Sequence, residues 1–537
     1  MNKNEYSQKA DRQYFSIAKD VFNRGSIFFS KKDGSLVAAG TVMSGFKLAI
    51  NPSKIEDIEA TYNALNEIIE INYDDFIYRA SKINDPYEDI ANRLSKEIAD
   101  KISGLDLPGV SIYSNDKWRF YPGSNLAAHP LGFVAFRGDE LRGQYGLERQ
   151  YNSILSKQGD EVYINFFAEI FSNLRKVFKN RRTGDIITTI EPVTQQMLEV
   201  ELKTALERWK AESAGGIIIN PQNGEIYAMS SLPDFNLNKF NKVSDPKLYG
   251  NPFIENVFEF GSVIKPLVMA AALDQGAVTA ETEYYDHGLV QVEDKVINNF
   301  DKKGRGKTNM QGVLSESLNT GMVFVEQQMG NDSFRKYMKA YGIGEKTNID
   351  LPNETKGLIS NLDSPRDLEY ATASFGQGIA LTPIGAVRAF SSIANGGNLI
   401  IPHLVKKIKY DDGSSDNIII EPIQAGIIKK ESSEEITRML VSVFDNSYYQ
   451  GKYKFDRYSV ATKTGTAQVA KEAGRGYYED QHMHSFFGYF PAYDPEFLVF
   501  LYLKNPQGIK YASQTLISPF VDITKFILNY YAVAPDR

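Results

Sequence analysis

The chain has 537 residues, 42% hydrophobic and 24% charged, with a net charge of -7 at pH 7. That is an ordinary globular balance spread over more residues than one core serves, so two or more domains are expected. The acidic balance excludes a broad nucleic-acid surface, and the absence of cysteine excludes a disulfide scaffold, a thiolate nucleophile and a Cys-ligated zinc site.

The first 50 residues read as a short helix followed by strands at Ser26–Phe29 and Leu36–Val42 around the turn Lys32-Asp33-Gly34. From Ser53 to about Ile102 the texture turns charged and helix-periodic, as in IEDIEATYNALNEIIEI and PYEDIANRLSKEIADKI, which predicts a helical insertion. Extended, turn-rich sequence returns from Leu105 to Thr183, and the basic stretch KNRRTG at Lys179–Gly184 marks a domain boundary. Pro192–Glu212 reads as an amphipathic helix, and GGIIIN-PQNG-EIYAMSS as a hairpin turning at Pro221–Gly224. A helix-rich block from Val263 to Asn395 precedes three further strands at Tyr458–Ala470, His484–Pro491 and Glu496–Leu503. Strands at both ends with helices between them predict an α+β domain, an antiparallel sheet covered by helices. No apolar run approaches the ~18–20 residues that span a bilayer, and the start is too polar for a signal peptide.

Three short motifs carry chemistry. Ser262 and Lys265 stand three residues apart at the head of the apolar run Leu267–Ala272, so the ammonium and the hydroxyl share a helix face. A serine hydroxyl becomes nucleophilic only when a base takes its proton, and a desolvated lysine can be that base. Ser-x-x-Lys arises by chance in most chains of this size, so the pair decides nothing alone. Ser317-Leu318-Asn319 offers a hydroxyl and an amide two residues apart, which suits a proton relay as well as an ordinary loop or helix cap. Lys463-Thr464-Gly465-Thr466 lies in a β-rich stretch, with Gly465 clearing space beside the backbone; a Thr-rich edge strand has the same look. In this order, on a helix, a helical loop and a strand, the three form the set shared by β-lactamases and penicillin-binding proteins.

The likeness extends beyond them. RGSIFFSKKDGSLVAAG, RFYPGSNLAAHPLGFVAF and GQYGLERQYNSIL resemble the non-catalytic region of class B penicillin-binding proteins; ITTIEPVTQQMLE, NPQNGEIYAMSSLPDFNLNKF and HSFFGYFPAYDPEF resemble their transpeptidase domain. The resemblance implies a penicillin-binding/β-lactamase-like transpeptidase domain at 186–537 behind an elongated non-catalytic pedestal at 1–185. It implies a peptidoglycan D,D-transpeptidase with Ser262 as nucleophile, Lys265 as base, and Ser317 with Lys463 handling the proton of the leaving amine. Asn319 would bind the substrate peptide, and Lys463, Thr464, Gly465 and Thr466 would receive its carboxylate. The amides of Ser262 and Thr466 would form the oxyanion hole. The implied partners are peptidoglycan stem peptides, β-lactams and a membrane-embedded glycan polymerase, with neither cofactor nor nucleic acid. The implied place is the outer face of the cytoplasmic membrane, and EYSQKADRQ resembles the segment that follows the family's membrane helix, so the chain reads as truncated. Phe260 stands where the family has proline before Gly-Ser, which predicts a looser helix entry, and Phe29-Ser30 replaces its usual acidic and basic pair.

Three other readings stay weaker. GRGKT at Gly304–Thr308 lacks the glycine a phosphate loop needs at 301, where Asp301 stands. His482 and His484 share a strand face without an evident third metal ligand, and the carboxylates of 53–102 read as solvated helix faces. Within the triad family, a β-lactamase or D,D-carboxypeptidase, and a silent β-lactam sensor, remain the alternatives.

Overall fold

The computed structural model of the protein describes residues 23–137, 140–157, 182–471 and 476–537. The helix expected near the start, the segment EYSQKADRQ and the Lys179–Arg181 half of the expected boundary lie outside them. The chain divides into two compact units: one holds the described parts of 1–27, 38–122 and 153–185, the other 28–37, 123–152 and 186–537.

Strand β1 (Ile27–Ser30) is followed by the long strand β2 (Leu36–Ile50). The first unit is built on β2, which pairs antiparallel with β3 (Glu88–Leu94) and with β4 (Val110–Phe120). Helices α1 (Ile58–Asn66), α2 (Tyr73–Ala80) and α3 (Lys96–Ser103) start where Asp57, Asn72 and Ser95 accept the orphan N–H of Ala60, Asp75 and Ile98. Their inward residues Leu65, Phe76, Ala80 and Ile102 close over Leu48, Ile50 and Leu94. The helical insertion is therefore interrupted. Ile90, Leu94, Ile98 and Ile102 recur every fourth residue, which mimics a helix, but Glu88–Leu94 is a strand. Two local features break the helix. Arg93 takes a left-handed φ of 61°, donating its N–H to Asp116 at 2.7 Å, and the Ser95 cap begins a new helix two residues on.

The second unit opens with α4 (Pro192–Trp209), ended by Lys210 at φ 46°, a few residues short of the expected Glu212. The predicted hairpin forms β5 (Ser213–Ile219) and β6 (Ile226–Leu232). Then come α5 (Lys265–Gln275), α6 (Asn319–Met329), α7 (Asn331–Ala340), α8 (Asp367–Ala373), α9 (Pro383–Ala394) and α10 (Lys430–Ser442). Small antiparallel strand pairs at 283–309 interrupt this helical block, a feature its sequence did not announce. Strands β7 (Ala461–Ala470), β8 (Tyr477–Phe490) and β9 (Phe497–Lys504) precede α11 (Ile517–Tyr530).

The five strands form one antiparallel sheet in the order β7-β8-β9-β5-β6, with β7 at an edge. Side chains alternate across a strand, and here that alternation builds three layers. Phe487 of β8 stacks on Phe390 of α9 at 4.2 Å, while Phe486 meets Phe520 of α11 at 4.6 Å from the opposite face. The α+β class stands.

Candidate active site

Helix α5 is buried at every residue from Lys265 to Ala272, as an all-round apolar sequence requires. One turn of 3-10 helix, Gly261–Ile264, leads into it and carries Ser262 half-buried, one turn ahead of Lys265. This turn lies against β7 backbone to backbone. Gly261 has φ +64°, and a Cβ there would stand 2.8 Å from the Thr466 carbonyl oxygen. A Cβ on Gly465 would stand 2.3 Å from the Phe260 carbonyl oxygen. Two glycines thus let the nucleophile turn and the strand touch. Phe260 is fully buried, packs edge-on to Phe500 at 5.1 Å, and its carbonyl accepts from Ser485 Oγ at 2.8 Å. Packing supplies here the fixed entry that proline would supply through its ring, so the entry is not loose.

Both lysines converge on Ser317. Lys265 Nζ reaches the Ser317 carbonyl at 2.7 Å, Asn319 Oδ1 at 2.8 Å and Ser317 Oγ at 3.2 Å. Lys463 Nζ lies 3.0 Å from the same Oγ and 3.1 Å from the Thr464 carbonyl. The Lys265 and Lys463 side chains are almost wholly buried. Burial, and then the Lys463 charge, hold the Lys265 amine well below the usual lysine range; burial lowers Lys463 to about 7. The two short Lys265 contacts end on a carbonyl and an amide oxygen, which match the two N–H bonds of a neutral amine. In a neutral amine the lone pair would turn to the longer contact, Ser317 Oγ; no hydrogen bond joins Lys265 to Ser262 among the described residues.

Ser317 reaches this position with φ +55°, a left-handed conformation that costs a non-glycine residue roughly 1–3 kcal/mol. What sets it up was not legible. Asn319 opens α6 and its amide donates to the Asn298 carbonyl at 3.0 Å. The next residue, Thr320, donates to buried Asp286 at 2.7 Å. Asp286 also accepts from Gly288 N–H, Asn299 Nδ2 and Arg305 N–H. No short motif marks Asp286 or Asn299, because their role comes from the unannounced strand pairs.

On β7, Lys463 and Gly465 are buried while Thr464 and Thr466 are half-buried on the other face, as alternation predicts. The Thr464 N–H donates to the Tyr448 hydroxyl at 3.1 Å, and Thr466 Oγ1 accepts from Ala512 N–H at 3.0 Å. The Thr466 hydroxyl keeps its proton to offer to an anion, whereas the Thr464 hydroxyl also lies against Tyr448. Tyr511, beside Ala512, meets Phe300 edge-on at 5.7 Å. All eight residues singled out in the three motifs therefore fall in one region.

The other readings find structural explanations. His484 is enclosed: Nδ1 lies 2.9 Å from Thr515 Oγ1 and Nε2 3.0 Å from the Lys510 carbonyl, and burial lowers it to about 4. In GRGKT, Lys307 pairs with Glu283 at 2.8 Å on a strand, and Arg305 with Asp301 and Glu316. Among the described residues no group of three or more His, Cys, Asp or Glu is placed to hold a metal ion.

Residues 214–523 match the penicillin binding protein transpeptidase domain, and residues 21–189 the penicillin-binding protein dimerisation domain. The chain is 29% identical to stage V sporulation protein D of Bacillus subtilis, over 97% of this chain and 82% of that protein. It is 30% identical to the probable peptidoglycan D,D-transpeptidase PbpC of Pseudomonas aeruginosa, over 83% and 76%. The crystal structure of penicillin binding protein 2X from Streptococcus thermophilus shares the fold, with a TM-score of 0.75 at 20% identity, covering 96% of this chain and 81% of that one.

Proposed function

This chain belongs to the class B penicillin-binding proteins and is a peptidoglycan D,D-transpeptidase, and we propose that it works through an acyl-enzyme on Ser262. Ser262 Oγ attacks the carbonyl carbon of the scissile peptide bond while the neutral Lys265 amine takes its proton. The amides of Ser262 and Thr466 face the developing oxyanion, each donor contributing about 3 kcal/mol. Ser317 Oγ, between the two lysines, passes a proton to the leaving amine. The incoming amine of a second stem peptide then attacks the ester, its proton returns along the same relay, and Ser262 is regenerated. Asn319 holds the peptide, and Lys463, Thr464 and Thr466 beside Gly465 receive the terminal carboxylate through charge-assisted bonds. A β-lactam enters the same site as an acylating agent.

The observation that supports these roles best is the meeting on the Ser317 hydroxyl of Lys463 and of Lys265, which follows Ser262 by one helical turn. Intact-mass measurement after exposure to a penicillin tests it: one adduct is expected on the wild type and none on Ser262→Ala, and an adduct that persists in the variant sinks the assignment. Release of that adduct within minutes rather than hours would favour the β-lactamase alternative.

We also propose that residues 1–185 supply a non-catalytic pedestal and 186–537 the catalytic domain, because all eight site residues lie after the expected boundary, although 28–37 and 123–152 belong to the same compact unit as 186–537. A 186–537 fragment should still acquire the penicillin adduct, and a folded fragment that does not would refute the division. The membrane setting is proposed on the resemblance to the class B family; among the described residues no helix is long and apolar enough to cross a membrane. A glycan polymerase partner follows from the same likeness, and native co-purification in mild detergent without any such polymerase would count against it.

A further inference from the structure

A cleft of about 570 Å³ lies among α6, α7 and α8, and none of the eight site residues lines it. Its size falls in the range of small-molecule pockets, roughly 300–1,000 Å³. Glu326 of α6 forms part of its wall. This side chain is 2% exposed, and its Oε1 is buried without a hydrogen-bond partner. A buried carboxyl without a donor costs a fold several kcal/mol if charged, so such a group calls for an explanation.

The neighbouring residues cannot satisfy it. The one cation on the cavity wall, Arg335 of α7, is committed: Nε donates to the Leu362 carbonyl at 2.5 Å, Nη1 to Asp332 at 3.0 Å and Nη2 to the Tyr370 hydroxyl. The other charged groups lining the cavity are Asp332 and Asp367, both acidic. Asp367 already accepts from Asn331 Nδ2 at 2.8 Å. The wall therefore carries three carboxyl groups against one arginine, three of whose five N–H donors are already placed, none of them on Glu326. What is missing is a donor with positive charge.

We propose that this cavity binds a small organic cation, an amine whose ammonium group donates to the Glu326 carboxyl. The cavity is too large for a bare ion, and its walls offer no metal-ligand cluster among the described residues. Burial, and then Asp367, raise the Glu326 carboxyl to about 7. An ammonium entering beside it displaces that proton, so binding tightens as pH rises. Glu326 lies two turns along α6 from Asn319, about 10 Å at 1.5 Å per residue, so the occupied cavity abuts the helix that presents Asn319 to Lys265.

The test is calorimetric titration of the full chain with 1,4-diaminobutane, with 1,4-butanediol as the uncharged control. Saturable one-to-one binding of the diamine is expected, at least tenfold weaker for the diol and for Glu326→Gln. Labelling of Glu326→Gln by a fluorescent penicillin checks that the variant is folded. A second arm needs no variant: between pH 6 and pH 8 the wild-type affinity should rise about tenfold, as a carboxyl titrating near 7 ionises. No saturable binding, equal binding by folded Glu326→Gln, or an affinity flat across that pH range would each overturn the proposal.

Discussion

Lys265 has two jobs that pull its protonation state in opposite directions: a charged amine would hold Ser262 electrostatically, whereas a neutral one can take its proton. Burial and the second lysine both disfavour the charge, and the spacing of its short contacts fits two N–H bonds. The acylation rate should therefore rise with pH through an apparent pKa well below the ~10.4 of a free lysine. Because Lys463 titrates nearby, that apparent value belongs to the pair. Lys265→Arg keeps the charge and cannot accept a proton near neutrality, so penicillin acylation by the folded variant should slow by about 10³-fold or more. Stopped-flow acylation against pH, for both proteins, reads this out. A variant retaining most of the wild-type rate would make Lys265 a spectator.

At the scale of elements, the contact between the 3-10 turn and β7 has no slack. Gly261→Ala places a Cβ 2.8 Å from the Thr466 carbonyl oxygen while forcing alanine to φ +64°. The turn and the strand must separate, and the Ser262 and Thr466 amides with them. Acylation should fall about a hundredfold for a stability loss of roughly 1–3 kcal/mol, measured by urea midpoint alongside penicillin labelling. Stability lost without any change in acylation would show that the contact does not set the site's geometry. The sheet strands and α5 were legible because hydrophobic period and turn chemistry agreed there. Glu88–Leu94 misled because its fourfold apolar spacing is also compatible with a strand once Arg93 bends the chain. The motif residues were legible one by one, whereas Asp286, Tyr448 and Ser485 were not. Their importance lies in partners distant in the chain, 16 residues away for Tyr448 and Thr464, 34 for Asp286 and Thr320, and 225 for Ser485 and Phe260.

For the whole molecule, buried titratable groups set opposing slopes of stability with pH. His129 and His484, lowered to about 4 by burial, stay neutral in the fold, so the stability they permit is lost as pH falls from 6.5 toward 4. Glu199 and Glu326, raised to about 7, keep a proton in the fold that the unfolded chain gives up, so stability is lost as pH rises from 4.5 toward 7. The two effects oppose each other between about 4.5 and 6.5, so Glu199→Gln should tilt the balance. Its stability gain from pH 5 to pH 7 should exceed the wild type's by about 1–2 kcal/mol in urea unfolding, and an unchanged difference would mean Glu199 is ionised in the fold. The sheet that carries the reacting groups has a further consequence, one of timing. Its central pairing joins Ile219 of β5 to Leu498 of β9, about 280 residues later in the chain. At roughly 5–20 residues per second of synthesis, the β5–β6 hairpin emerges about 15–60 s before its partner strand exists. Through that interval its Ile217–Ile219 edge has no native neighbour, and neither Ser262 nor Ser317 has the strand that completes its surroundings. The enzyme acquires its chemistry only with its last strands.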